Sequence, residues 1–255
     1  MFYSRFWTNA MRAIGYGAGI SWLHELYLSH SKLIESSNRH ATLLPKVDPL
    51  YQIAERAFSD MGADLTRHPL ELSVFDSSRH TSFQADCSSA TVHRNLMSGA
   101  YRLQVDLDAF NRYKRRTVEG QHISQDKFFR AIFAHEAVHA IEYHNFFKIY
   151  MPLLLTLPAL YSVDAMRVRL PWMSGFGPLS LFFLVSYFGQ QFELRSDRLA
   201  AEHDPEIRGS LISIFSATGE GHDATHHSGS SFRFFHSHPS CETRLDAIQG
   251  HSPIE

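Results

Sequence analysis

The chain has 255 residues, 44% apolar and 20% charged, so it can bury a substantial core and is neither disordered nor collagen-like. With 24 basic and 26 acidic side chains its formal net charge is −2, which argues against a nucleic-acid partner. Cys87 and Cys241 are too few for a disulfide framework or an all-cysteine zinc site, whereas 17 histidines direct attention to metal ligands.

Residues 13–23 form an apolar run thinned by three glycines and interrupted by His24 and Glu25. It is too short to span a bilayer and no clear cleavage site follows, so it reads as an amphipathic surface helix rather than a secretory signal. In residues 48–62 (DPLYQIAERAFSDMG), Leu50, Ile53, Ala54, Ala57, Phe58 and Met61 recur at helical spacing, and Gly62 can end the helix. Residues 71–75 (ELSVF) and 101–107 (YRLQVDL) alternate as short strands. Residues 81–99 are polar and irregular, and the basic patch at 112–120 (RYKRRTVEG) reads as a solvated loop.

Ser124 is placed to cap a helix reaching about Tyr143, with Asp126 near its positive end. Apolar side chains almost encircle that helix, which argues for burial. Residues 146–163 (FFKIYMPLLLTLPALYSV) and 170–189 (LPWMSGFGPLSLFFLVSYFG) are strongly apolar. At about 1.5 Å per residue, each helix would roughly cover the ~30 Å hydrocarbon core of a bilayer. Asp164, Arg167 and Arg169 fit a polar turn between them. The pair reads as a membrane hairpin; the alternative is a hairpin packed against protein. A further helix spans about 189–203, stopping before Asp204 and Pro205. The Gly/Ser/His-rich stretch 219–231 reads as a loop in which His222, His226 and His227, like the later His236, are solvated. A last helix starts after Pro239.

The buried helix contains His135-Glu136-Ala137-Val138-His139. Residues i and i+4 lie about 40° apart around a helix and about 6 Å apart along it. Two imidazoles so placed can converge on one tetrahedral ion, while Glu136, about 100° round from His135, suits a base for a metal-activated water. Glu193 offers a third ligand, and Asp197, one turn on, can accept the free ring N–H of a ligating histidine. Arg195 and Arg198 offer these carboxylates an alternative as ordinary salt-bridge partners. Two membrane crossings between His139 and Glu193 would return the chain to its starting side, so all three ligands would share one face.

Three segments, HEAVH at 135–139, FELRSDRLA at 192–200 and SHPSCETRLDAI at 237–248, together resemble the M48 family of zinc metallopeptidases. That family includes HtpX-type membrane proteases, CAAX prenyl proteases and mitochondrial Oma-type enzymes. The resemblance implies a mainly helical α+β, gluzincin-like core over residues 45–255. A hydrophobic helical hairpin, residues 146–189, would be inserted between the metal-binding helices, and an amphipathic or membrane-associated segment, residues 1–44, would precede the core. It also implies one Zn2+ per chain held by His135, His139 and Glu193. Glu136 would be the catalytic base and Asp197 a support behind the ligands. His238 would sit near the scissile carbonyl, and Arg244 would anchor its segment. Ser196 departs from the alanine usual in the family.

The expected function is therefore zinc-dependent endopeptidase action on a protein or peptide, next to membrane lipid. Lys127, Arg130, Lys148, Arg195 and Arg198 flank the hairpin on the catalytic side, which places the active site in the cytoplasm at a bacterial inner membrane. The alternatives are a soluble or peripheral cytoplasmic peptidase, or an inactive metal-binding protein. Cys241 reads as an inert thiol.

Overall fold

A computed structural model describes residues 41–76, 90–94, 99–118, 120–144, 173–222 and 239–250. The expectations for residues 13–23, for the apolar run 146–163, for His226, His227 and His236, and for His238 lie outside these residues. Contacts divide the chain into two units, residues 1–38 with 146–189 and residues 39–145 with 190–255. The sheet, core and side-chain cluster described below belong to the second unit.

A four-stranded sheet is built from β1 (Thr42–Leu43), β2 (Leu70–Phe75), β3 (Ala90–Arg94) and β4 (Tyr101–Asp106), in the order β1-β2-β4-β3. The β2–β4 pair is parallel, and β1 and β3 are antiparallel to their neighbours. The register explains the single buried face. Leu72 pairs with Leu103, which pairs with Val92; Val74 pairs with Val105, which pairs with Ala90. All six are buried, as side chains two apart on a strand share a face.

The helices are α1 (Pro49–Asp60), α2 (Ala109–Arg116), α3 (Gln125–Ile141), α4 (Met173–His203), α5 (Pro205–His222) and α6 (Cys241–Gln249). At the start of α1 the Asp48 carboxylate accepts from the Leu50 N–H at 2.8 Å, and Pro49 occupies a first-turn position where its missing N–H costs nothing. Past its end, Gly62 takes φ +89, a left-handed conformation open to glycine. The residues at 112–120 read as a solvated loop are instead largely helical, because α2 extends to Arg116. Arg112 folds back onto Asp106 and Asp108, so the basic run is partly neutralised by acids just upstream of it. Likewise, residues 219–222, read as the beginning of a loop, end α5.

Helix α3 occupies the centre. Ser124 caps it by accepting from the Lys127 N–H, and the chain leaves it at Glu142. It packs against α1, α2, α5 and β3. Phe128, Phe129, Ala131, Phe133, Ala134, Ala137 and Ala140 are buried in one core with Phe58, Leu72, Leu103, Ile207 and Leu211. Each large apolar side chain so buried contributes roughly 1.5–3 kcal/mol, which offsets the cost of ordering a helix enclosed on nearly all sides. The 31 residues of α4 include most of the second apolar run. Among the described residues, no helix is long and apolar enough to cross a membrane, and a hairpin with residues 146–163 is not described.

Candidate metal centre

Two helices bring the cluster together. On α3, His135 and His139 are separated by one turn, and both are buried. On α4, the inward positions Glu193, Ser196, Asp197 and Ala200 recur at helical spacing, as a core-facing stripe should. Apolar side chains would normally fill that stripe. Here Glu193, Ser196 and Asp197 fill it while buried, an arrangement that is expensive unless each has a partner or a ligand.

The partners are one another. The Nε2 atoms of His135 and His139 lie 3.0 Å apart. Glu193 Oε2 is 3.4 Å from His135 Nε2, and Glu193 Oε1 is 3.4 Å from His139 Nε2. A tetrahedral ion with donors at about 2.0–2.1 Å separates any two of them by roughly 3.3 Å. The separations lie near that value, with a different Glu193 oxygen nearest each histidine, and one ligand atom from each residue lies within 4.8 Å of the other two, so the set can hold one small divalent ion. Two imidazoles with one carboxylate also form a recognised catalytic zinc set, in which a fourth position stays open.

Behind His135 stands Asp197, with Oδ1 2.8 Å from Nδ1. The ring N–H is not aimed squarely at that oxygen, so the contact acts as a close ion pair more than as an aligned hydrogen bond. Asp197 is fully buried, and Arg244 on α6 grips both its oxygens, Nε to Oδ2 at 2.6 Å and Nη2 to Oδ1 at 2.7 Å. The guanidinium also covers the ring of Phe215, 4.1 Å from its centre. Burial alone would raise the Asp197 carboxyl, but Arg244 and then His135 outweigh it and hold its pKa low. For His135, burial opposes protonation, yet the charge of Asp197 and its contact with the ring prevail, and the pKa is pushed up to about 9.

The residues singled out in the sequence thus fall into three groups. His135, His139 and Glu193 converge, with Asp197 and Arg244 stacked behind them. Glu136 is half-buried one position along α3 from His135, and His238 lies outside the described residues. Arg195, considered as a partner for Glu193 or Asp197, turns instead to Glu142, placing Nε 2.6 Å from Oε2 and Nη2 2.7 Å from Oε1. Burial raises the Cys241 thiol pKa, in keeping with an unreactive side chain.

One buried histidine escaped the sequence reading. His144 is only 2% exposed and places Nδ1 3.0 Å from Nδ1 of His139. The available signal was a third histidine five residues after His139. Helical periodicity could not place it, because α3 ends at Ile141 and Tyr143 turns the chain through a left-handed conformation at φ 58.

The sequence profile of peptidase family M48 matches residues 114–252, more than half of the chain and all three donors. No significant match is found among curated proteins or solved structures.

Proposed function

Because the chain belongs to peptidase family M48, whose members are metal-dependent proteases, we propose that it is a zinc-dependent endopeptidase with Glu136 as general base. The supporting observation is the convergence of His135, His139 and Glu193, which would hold the ion through two imidazole nitrogens and a carboxylate. Zinc bound there would supply Lewis acidity, polarising a carbonyl and bringing the pKa of a water towards neutrality.

The remaining work falls to the chain's own residues. Asp197, fixed by Arg244, holds the His135 ring with Nε2 facing the other two donors. A carboxylate oxygen of Glu136 takes the proton of the water that attacks the scissile carbonyl carbon. The same oxygen then delivers it to the departing amine nitrogen. His238, just upstream of the α6 cap Ser240, would donate to the developing oxyanion, with Arg244 anchoring that segment.

Glu136→Gln should retain zinc and lose about 10²–10⁴-fold in kcat/KM on an unfolded protein substrate, the usual weight of general acid–base catalysis. Wild-type proteolysis by this variant would remove the assignment. Zinc-loaded wild type that cleaves neither unfolded nor membrane-protein substrates would instead favour an inactive metal-binding protein.

Membrane association, with a cytoplasmic active site at a bacterial inner membrane, belongs to the same proposal. It rests on the composition of residues 146–163 and 170–189 and on the flanking basic residues. Membranes washed at high salt should retain the chain until detergent is added; release without detergent would mark a peripheral or soluble peptidase.

A further inference from the structure

Each of the two histidines at the metal centre has a second nitrogen facing away from the other donors, and the two are supported differently. His135 meets a carboxylate directly. His139 meets another histidine, and a carboxylate stands behind that. His144 Nε2 is 2.9 Å from Glu142 Oε2, and Arg195 clasps both oxygens of Glu142. The His144 ring lies flat on Phe192, with centres 4.3 Å apart and planes 13° apart, and Ser196 Oγ is 3.3 Å from its Nδ1. Ser196 is thus buried against this imidazole through its hydroxyl, the group that distinguishes it from the alanine usual at its position.

The proton positions follow from the donors available. If His139 ligates through Nε2, its proton sits on Nδ1, and the nitrogen it faces must accept. His144 then carries its own proton on Nε2, which donates to Glu142. Both N–H bonds of the relay point from the metal centre towards the carboxylate, and the Ser196 hydroxyl stands 3.3 Å from the same Nδ1, beside the single lone pair that the His139 proton occupies. No other tautomer satisfies both the His139 and the Glu142 contacts of a neutral His144. The left-handed turn at Tyr143 is what folds His144 back beneath α3. Such a conformation is costly for a residue with a side chain and persists where the surroundings enforce it.

We propose that His144, oriented by Glu142, Arg195 and Ser196, is a positioning residue that fixes the tautomer and ring orientation of His139. It does for His139 what Asp197 and Arg244 do for His135. The inference rests on the reading of His139 as a metal ligand, and the test separates the two.

Zinc affinity is measured by chelator competition for wild type, His144→Phe, Glu142→Gln and His139→Ala. The cobalt-loaded forms are compared by visible absorption, and the zinc-loaded forms by nitrogen-15 spectra of the imidazoles. His144→Phe keeps the ring stack on Phe192 but removes the acceptor. It is expected to weaken zinc binding about 10–100-fold, as loss of a partner behind a ligand usually does. It should also alter the cobalt spectrum and deprotect the Nδ1 proton of His139. Glu142→Gln, at a partly exposed position that leaves the core intact, should shift affinity and spectrum in the same direction by less. The double variant should lose no more than His144→Phe alone, as expected of residues acting in series.

If both single variants bind zinc within twofold of wild type with unchanged spectra, while His139→Ala has lost the metal, the relay is overturned and the ligand assignment stands. If His144→Phe proves unfolded, Glu142→Gln decides by the same criteria. If His139→Ala itself binds zinc like wild type, the ligand reading fails and takes the relay with it.

Discussion

His135 sits between two demands. As a ligand it must give up the proton that Asp197 favours. With a pKa pushed up to about 9, the metal-free side chain is protonated at neutral pH, so loading the site must expel a proton. The sign follows: metal competes with a proton below about pH 9, and apparent affinity should fall by about tenfold per unit as pH drops through neutrality. Calorimetry in buffers of different ionisation enthalpy should register about one proton released per ion bound near pH 7. Zero release, with affinity flat from pH 6 to 9, would contradict the His135–Asp197 pairing. At this scale the sequence was informative where spacing carries the geometry. The convergence of His135 with His139 was legible from one helical turn, and the alignment of Glu193 with Asp197 from another. His144 was not, since it lies beyond the helix end, and Ser196 passed for a minor change because nothing local reveals a partner 52 residues back.

Among the elements, α6 is joined to the metal-centre helix α4 through Arg244. It packs on α5, and Arg244 ties it to α4 by the pair with Asp197, whose members are 15% and 0% exposed, and by a longer contact with Glu193, Nη2 to Oε2 at 3.8 Å. Removing one member of such a pair costs roughly 3–5 kcal/mol where the other charge is left wholly uncompensated, and about 1–3 kcal/mol here, since protonated His135 still faces Asp197. Arg244→Ala should lower the unfolding free energy of the metal-free chain by that amount in urea melts, and a change under about 1 kcal/mol would show that the ion pair is not buried as described. The helices illustrate what local sequence can reveal. α1 and α3 were visible because Asp48 and Ser124 cap them and apolar residues recur along them. α2 was hidden by its own basic run, whose neutralising partners Asp106 and Asp108 lie outside it. The edge strands were hidden as well: β1 has two residues, and β3 lies within residues 81–99, whose polar sequence shows no clear alternation.

For the molecule as a whole, the family profile covers residues 114–252, whereas the sheet, from Thr42 to Asp106, precedes the matched part. The two are nonetheless one core. α3 presses on β3 on one side and on α5 on another, so the helix carrying both histidines is held by strands from outside the family segment. A mainly helical α+β fold was therefore readable from its two clearest strands and its capped helices. The strand order was not, because a parallel β2–β4 pair depends on contacts about thirty residues apart.

Two imidazoles and one carboxylate, 58 residues apart at the extremes, are placed to share a single ion. Metal analysis of reconstituted, dialysed protein, combined with zinc-edge X-ray absorption, tests it most directly. One zinc per wild-type chain is expected, in a low-coordinate nitrogen and oxygen shell containing two imidazoles, with the metal lost from both His139→Ala and Glu193→Ala. Wild-type protein that retains no zinc, or a Glu193→Ala variant with the same zinc content and the same ligand shell, would contradict it.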